Sequence, residues 1–156
     1  MKNDIRCQGY LHKDYPENKS TVIGKAAYLR LNDDEKTEYS GIDTEFIPLA
    51  SNDAYTLLKV KIYTGKSHQI RAHLKAMGYS VLGDKKYGEH SVNRYIEGKY
   101  GLRHHLLHSG LLVMDRMTDG GIENKGKLII RDELPGIFID ICKGENIPWE
   151  PGAPED

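Results

Sequence analysis

Lys66, His68 and Arg71 are the residues whose types and spacing most clearly indicate a functional site. They lie at or just after the turn Thr64-Gly65-Lys66. If a helix begins here, its first backbone N–H groups are unpaired and its dipole attracts negative charge. Two cations and an imidazole beside such a terminus would form a site for a phosphate or a carboxylate. The alternative is a strand, a turn and a helix whose polar face contacts only water.

The segment before the turn predicts a strand with one buried face and one wet, basic face. Apolar and polar residues alternate from Leu58 to Tyr63, which is the period of a half-buried strand. The buried set is Leu58, Val60 and Ile62, and the wet set is Lys59, Lys61 and Tyr63.

The segment after the turn predicts a helix, with Ser67 as its N-cap and Gly78 at its end. Ile70, Leu74 and Met77 form one apolar stripe at positions i, i+4 and i+7. His68, Arg71 and Lys75 occupy a different, polar face. The helix therefore carries the ionisable residues away from the core.

Strands outnumber helices in the rest of the pattern, although the stretch through Ile42 is polar and rich in turns. Helical structure is predicted in part of 89–103 and after Pro135, and the tail from Pro148 is expected to fray. Pro48 is expected at a sheet edge or a strand end. An α+β fold with a mostly antiparallel or mixed sheet and few helices follows. The further predicted strands are 21–23, 28–31, 44–49, 79–82, 106–114 and 127–130.

These motifs resemble those of RluA-type pseudouridine synthases. The similarity comprises three blocks in the same order as in the family, and weaker likeness extends over most of the chain. The blocks are Thr64-Gly65-Lys66-Ser67-His68-Gln69-Ile70-Arg71-Ala72-His73-Leu74, Gly83-Asp84-Lys85-Lys86-Tyr87-Gly88 and Leu106-Leu107-His108-Ser109.

The resemblance implies an enzyme that isomerises uridine to pseudouridine in ribosomal or transfer RNA without a metal or organic cofactor, acting on a nucleotide displaced from its stack. It implies that Arg71 is the partner of a catalytic aspartate, that Leu107 lines the uracil pocket, and that Lys66 and His68 contact RNA together with Arg71. Structural roles are implied for Thr64, Gly65, Gln69, Gly83, Asp84, Tyr87, Gly88 and His108.

The block that carries the catalytic aspartate in this family has no counterpart here. Arg30-Leu31-Asn32-Asp33 lacks the Thr-Ser-Gly that should follow, and it lies on the wrong side of Gly9. We therefore expect residues 1–147 to be the C-terminal half of the pseudouridine synthase catalytic fold, 148–156 to be a flexible tail, and Arg71 to have no carboxylate to hold. The chain alone is expected to be inactive, and self-association through an exposed sheet edge is expected.

Composition limits the other classes of function. The chain has 156 residues, a net charge of −1 and a pI near 6.7, which argues against binding nucleic acid by bulk charge. It has no apolar run of membrane-spanning length and no signal-peptide pattern at its N-terminus, so a cytoplasmic protein that does not bind a membrane is expected. Cys7 and Cys142 are expected to be free thiols. Basic residues are concentrated at Lys59, Lys61, Lys66, Arg71, Lys75, Lys85 and Lys86.

Three other kinds of function compete with this interpretation. A metal site among His104, His105 and His108 has no cysteine or carboxylate at ligand spacing. A DNA-binding helix-turn-helix lacks a second helix close to the first. A non-catalytic RNA-binding module stays open, because the missing aspartate favours it for this chain in isolation.

Overall fold

The computed structural model describes residues 1–118 and 121–149. It is an α+β structure with two antiparallel sheets and short helices. Within the described part, the elements are β1 (Ile5–Asp14), β2 (Lys19–Ile23), α1 (Lys25–Tyr28), α2 (Asp33–Thr37), β3 (Tyr39–Ser51), β4 (Thr56–Ile62), α3 (Gln69–Ala76), α4 (His90–Tyr100), β5 (Leu111–Thr118), β6 (Gly121–Arg131) and α5 (Gly136–Gly144).

The larger sheet has the strand order β2-β1-β3-β4. Helix α3 packs on its inner face, where Phe46 of β3 is fully buried against Leu74 and Val81. The predicted stripe is confirmed, because Ile70 and Met77 pack in the same cluster. Burying these side chains contributes roughly 1.5–3 kcal/mol each, which fixes the helix on the sheet.

Several sequence predictions for this sheet are wrong. Strand β1 lies in the stretch that was interpreted as turns, and 28–31 contains the end of α1 instead of a strand. Pro48 lies in an interior strand, at a point where the register with β4 shifts. A proline, which has no N–H to donate to the ladder, is tolerated at such an irregularity.

The secondary structure predicted after residue 78 is confirmed only in part. Residues 79–82 are not a strand, and β5 begins at Leu111 instead of residue 106. The helix within 89–103 is confirmed as α4, and Pro135 stands at the entrance of α5. Residues 150–156 of the expected flexible tail lie outside the described residues.

Strands β5 and β6 form a separate two-stranded hairpin. Paired residues of an antiparallel ladder point to the same side, so Leu112 and Ile130 lie on one face and Val113 and Ile129 on the other. All four side chains are exposed, Ile129 at 53%. A ribbon that is apolar on both faces resembles an interior part of a larger structure.

Candidate functional site

The turn between β4 and α3 is held by the amide of Gln69, which is buried. Its Oε1 accepts hydrogen bonds from the Thr64 hydroxyl at 2.9 Å and the Lys66 N–H at 3.0 Å. Its Nε2 donates to the Thr44 hydroxyl and the Asp43 carbonyl. Each polar atom of the amide is therefore bonded, and the backbone of the turn is fixed to β3.

His68 lies at the start of α3 in the left-handed region, at φ 59°. It is the N-cap residue, so the prediction of Ser67 as N-cap is wrong. The Tyr87 hydroxyl accepts a hydrogen bond from the Ser20 N–H at 2.7 Å and lies 3.1 Å from His68 Nδ1. Because the Tyr87 oxygen already accepts this bond, its O–H is oriented to donate its one hydrogen to Nδ1 of a neutral His68 imidazole.

The pKa of His68 is below its ordinary value. Burial is the main cause, and the positive charges of Arg71, Lys13 and Lys86 add to it. These three cations therefore raise the electrostatic potential around the same imidazole.

Arg71 projects from α3 towards the loop after Leu82 and forms a bidentate ion pair with Asp84. Nε donates to Oδ2 at 2.7 Å and Nη2 donates to Oδ1 at 2.8 Å. The expectation that Arg71 has no carboxylate to hold is therefore wrong. The two residues are 13 positions apart, and the loop returns to the helix face to bring them together.

Asp84 is fully buried. Burial opposes its ionisation, but the hydrogen bond from Arg71 and those from the N–H groups of Lys86 and Tyr87 outweigh burial and lower its pKa below the ordinary value. The bond to Asp84 in turn raises the pKa of Arg71. Because an arginine has five N–H donors and two contact Asp84, three do not bond to this carboxylate.

Gly83 and Gly88 frame the Asp84 loop closely. Gly83 has φ +73°, and a Cβ there would lie 2.2 Å from the carbonyl oxygen of His104. A Cβ at Gly88 would lie 2.4 Å from the carbonyl oxygen of Asp84. Asn93 of α4 completes the frame, accepting from the Gly83 N–H and donating to the Asp84 carbonyl. Asn93 belongs to none of the sequence motifs, so its position in this frame was not predictable from the sequence.

A shallow cleft of about 240 Å³ joins the turn, α3 and the segment before β5. Leu107 is 41% exposed at this cleft. The structure thus brings together six predicted site residues and adds three that were not predicted. The lining consists of Thr64, Lys66, His68, Gln69, Arg71 and Leu107, with Ile62, Ile70 and His105 as the additions.

The other predicted residues have different positions. Gly65 lies in the turn with open space beside its Cα, and Tyr87 is buried in the core cluster with Leu11 and Ile42. His108 lies away from the cleft against Phe138, and its buried Nε2 has no hydrogen-bond partner among the described residues.

Within 1–118 and 121–149, no cluster of three His, Cys, Asp or Glu side chains could hold a metal ion. None of the helices described is both long and apolar enough to cross a membrane.

Comparison with known proteins gives this geometry a context. Residues 2–76, which include Arg71 and the whole larger sheet, match the family described as RNA pseudouridylate synthase. This part of the chain is therefore similar to RNA pseudouridylate synthases.

Curated proteins similar to this chain are named as pseudouridine synthases. An uncharacterized RNA pseudouridine synthase of Aquifex aeolicus is 39% identical over 54% of this chain and 27% of its own length. The tRNA pseudouridine synthase C of Haemophilus ducreyi is 38% identical over 37% of this chain and 24% of its own. The ribosomal large subunit pseudouridine synthase C of Buchnera aphidicola is 37% identical over 35% and 17%. The chain thus spans about a quarter or less of the length of each of these relatives.

Proposed function

We propose that this chain is the C-terminal part of the catalytic domain of an RNA pseudouridine synthase, which isomerises uridine in ribosomal or transfer RNA. The observation that supports this most is the position of Arg71. Its guanidinium lies in the wall of a cleft that also contains Leu107, and three of its N–H donors are not used by Asp84.

The cleft fits one flat base better than a larger ligand. Its volume of about 240 Å³ is below the roughly 300–1,000 Å³ of pockets for drug-sized molecules. Leu107 and Ile62 supply apolar surface for the faces of the ring, and Lys66 lies at the rim for a phosphate. A uridine displaced from its stack would present these same two chemistries.

The role proposed for Arg71 is to hold a catalytic aspartate supplied by a polypeptide segment with the motif that this sequence lacks. A guanidinium favours the ionised carboxylate and fixes its direction through paired hydrogen bonds. Asp84 keeps the guanidinium in place and leaves the two N–H groups of Nη1 and one of Nη2 for the second carboxylate. Arg71 would then hold one carboxylate for structure and one for catalysis.

The experiment is tritium release from RNA labelled at C5 of uridine. The chain alone should release none, and the chain joined to an upstream segment with the aspartate should release tritium. In the joined protein, Arg71→Lys keeps the charge but loses the paired bonds, and it should slow release by about 100-fold. Unchanged release by that variant, or release by the chain alone, would contradict the assignment. If the chain alone releases tritium, Asp33 is the carboxylate to replace first, because its side chain is exposed whereas Asp84 is buried.

A non-catalytic RNA-binding module is the second candidate, for this chain in isolation. One observation favours it: the carboxylate that contacts Arg71 is the fully buried Asp84, which cannot reach a substrate. RNA binding without tritium release by any joined form would support this function instead.

We also propose self-association, through the apolar faces of the β5–β6 hairpin. Seven large apolar side chains are between 40% and 53% exposed there, namely Leu111, Leu112, Val113, Met114, Leu128, Ile129 and Ile130. An apolar surface of this kind on a folded domain marks an interface.

A further inference from the structure

A larger groove of about 920 Å³ adjoins the cleft. One wall consists of Lys13 at the end of β1 and Tyr15 in the turn between β1 and β2, and Glu38 at the end of α2 also lines the groove. The floor reaches Lys66 and Ser67 of the turn before α3. Of the motif residues, Lys66 and Ser67 line this groove.

The groove and the cleft share one lining residue, Lys66. Its neighbour Ser67 lines the groove, and the next residue, His68, lines the cleft. A ligand chain that leaves the cleft past the Lys66 side chain would therefore enter the groove.

The side chains of the groove suit a sugar-phosphate strand with bases. Lys13 and Lys66 supply positive charge, and Tyr15 is 81% exposed at the rim. The carboxylates of the groove have other contacts, because Asp14 accepts a hydrogen bond from the Glu17 N–H and Glu38 lies 3.4 Å from His12 Nε2. An exposed aromatic ring beside cations is the usual arrangement for binding single-stranded nucleic acid.

The wall that carries Tyr15 is held in place. Asn18 is in the left-handed region at φ 46°. Lys13 Nζ donates to the Asn18 side-chain oxygen at 2.5 Å, and Lys86 Nζ donates to the Asn18 carbonyl. Lys86 belongs to the loop that contains Asp84, so this loop supports both the cleft and the groove. A wall that is already ordered loses less entropy when a ligand binds.

The positive charges of both regions act at one place. Burial lowers the pKa of His68 most, followed by Arg71 of the cleft, Lys13 of the groove and Lys86 of the Asp84 loop. Asp84 opposes this effect and is the weakest of the five influences. Cations from the cleft, the groove and the Asp84 loop therefore all act on His68, and positive charges placed in this way can attract a phosphate.

We propose that the groove binds the single-stranded RNA segment next to the nucleotide in the cleft, with phosphates beside Lys13 and Lys66 and one base stacked on Tyr15. This rests on the proposed function, because the cleft defines which nucleotide is the neighbour. The volume of the groove, near the upper end of the range for drug-sized ligands, is enough for more than one nucleotide.

The test is fluorescence anisotropy with this chain and a labelled single-stranded RNA of about twelve uridines, because one binding domain covers roughly 4–16 nucleotides. Tyr15→Ala should weaken binding by about 5- to 100-fold, as loss of one stacked base does. Tyr15→Phe keeps the aromatic ring, so this variant should bind the RNA as tightly as the wild-type chain does. Tyr79→Ala is the matched control, because Tyr79 is also exposed and lines neither concavity.

Lys13→Gln gives a second, independent measurement. Losing one phosphate contact should reduce the slope of log affinity against log salt by about 0.7, whereas Lys143→Gln on α5 should leave the slope unchanged. If Tyr15→Ala and Lys13→Gln bind as their controls do, the groove is not an RNA site although the cleft still can be. If the wild-type chain does not bind the RNA, the proposed function fails as well.

Discussion

Arg71 and Asp84 form a buried bidentate ion pair that joins α3 to the loop after Leu82, with donor–acceptor distances of 2.7 and 2.8 Å. The carboxylate also accepts from the N–H groups of Lys86 and Tyr87. One side chain therefore fixes the arginine of the cleft and the backbone of the loop at once. The stability of the loop and the direction of the guanidinium should change together.

Asp84→Asn should lower the free energy of unfolding by about 3–5 kcal/mol, because it leaves a largely buried guanidinium without its counter-charge. Urea denaturation measures the change. Asp140→Asn is the control, since Asp140 is exposed on α5, and it should change stability by less than about 0.5 kcal/mol. An Asp84→Asn variant as stable as this control would mean that the pair contributes nothing to folding.

Asp84 should also make folding sensitive to acid. Its pKa is lowered in the folded chain, so its ionised form contributes stability that is fully present above the unfolded-state pKa of about 3.9. This contribution is lost as the pH falls through the lower, folded-state pKa. Below about pH 4 the wild-type chain should lose stability more steeply than Asp84→Asn, as judged by urea midpoints across the pH range. Parallel curves would assign the acid sensitivity to other carboxylates.

The contrast between α3 and the strands shows how far the sequence could predict this fold. Helix α3 was predictable because Ile70, Leu74 and Met77 mark one face with large apolar groups. Strand β1 was not, because its inward positions include Cys7 and Gly9, which do not form a recognisable apolar pattern. The packing of the neighbouring strand favours glycine at position 9, because a Cβ there would lie 2.9 Å from Val22 Cγ1.

The site shows a similar division. The motif placed Lys66, His68 and Arg71 correctly on one turn and helix, since that relationship is local. It could not predict which carboxylate Arg71 would contact, because this depends on how the Gly83 loop folds back. Tyr28 was misassigned to a strand for a related reason: its ring stacks on Tyr10 with the centroids 3.6 Å apart, a contact between distant residues that outweighs local propensity.

Gly83→Ala should destabilise the chain by about 1–3 kcal/mol or more, because φ is +73° and the new Cβ would meet the His104 carbonyl. Gly98→Ala is the matched control in α4, where a Cβ meets no atom within 4 Å. That substitution should stabilise the helix by about 0.5–1 kcal/mol. Thermal denaturation should show a lower melting temperature for Gly83→Ala and a higher one for Gly98→Ala. Equal shifts in melting temperature would show that the loop can relax around the new methyl group.

Ile129→Lys should reduce self-association. A charged side chain on one apolar face of the β5–β6 hairpin would have to be desolvated at an interface. Multi-angle light scattering of the wild-type chain over a range of concentrations should show oligomers, and the variant should shift towards monomer. Leu29→Lys is the control, because Leu29 is also exposed but lies beside α1 instead of the hairpin. A wild-type chain that stays monomeric at every concentration would contradict the proposed interface.

The titration of His68 should report the cations around it. Its pKa, lowered mainly by burial and then by Arg71 and Lys13, should lie below the ordinary value of about 6.5. Lys13→Gln removes one positive charge, so it should raise the pKa of His68, whereas Lys143→Gln should not change it. Bound RNA would act in the same direction as Lys13→Gln, because phosphates stabilise the imidazolium. Two-dimensional NMR of the imidazole resonances against pH measures all three effects. A pKa of His68 that does not respond to Lys13→Gln would mean that the groove wall and the cleft are electrostatically independent.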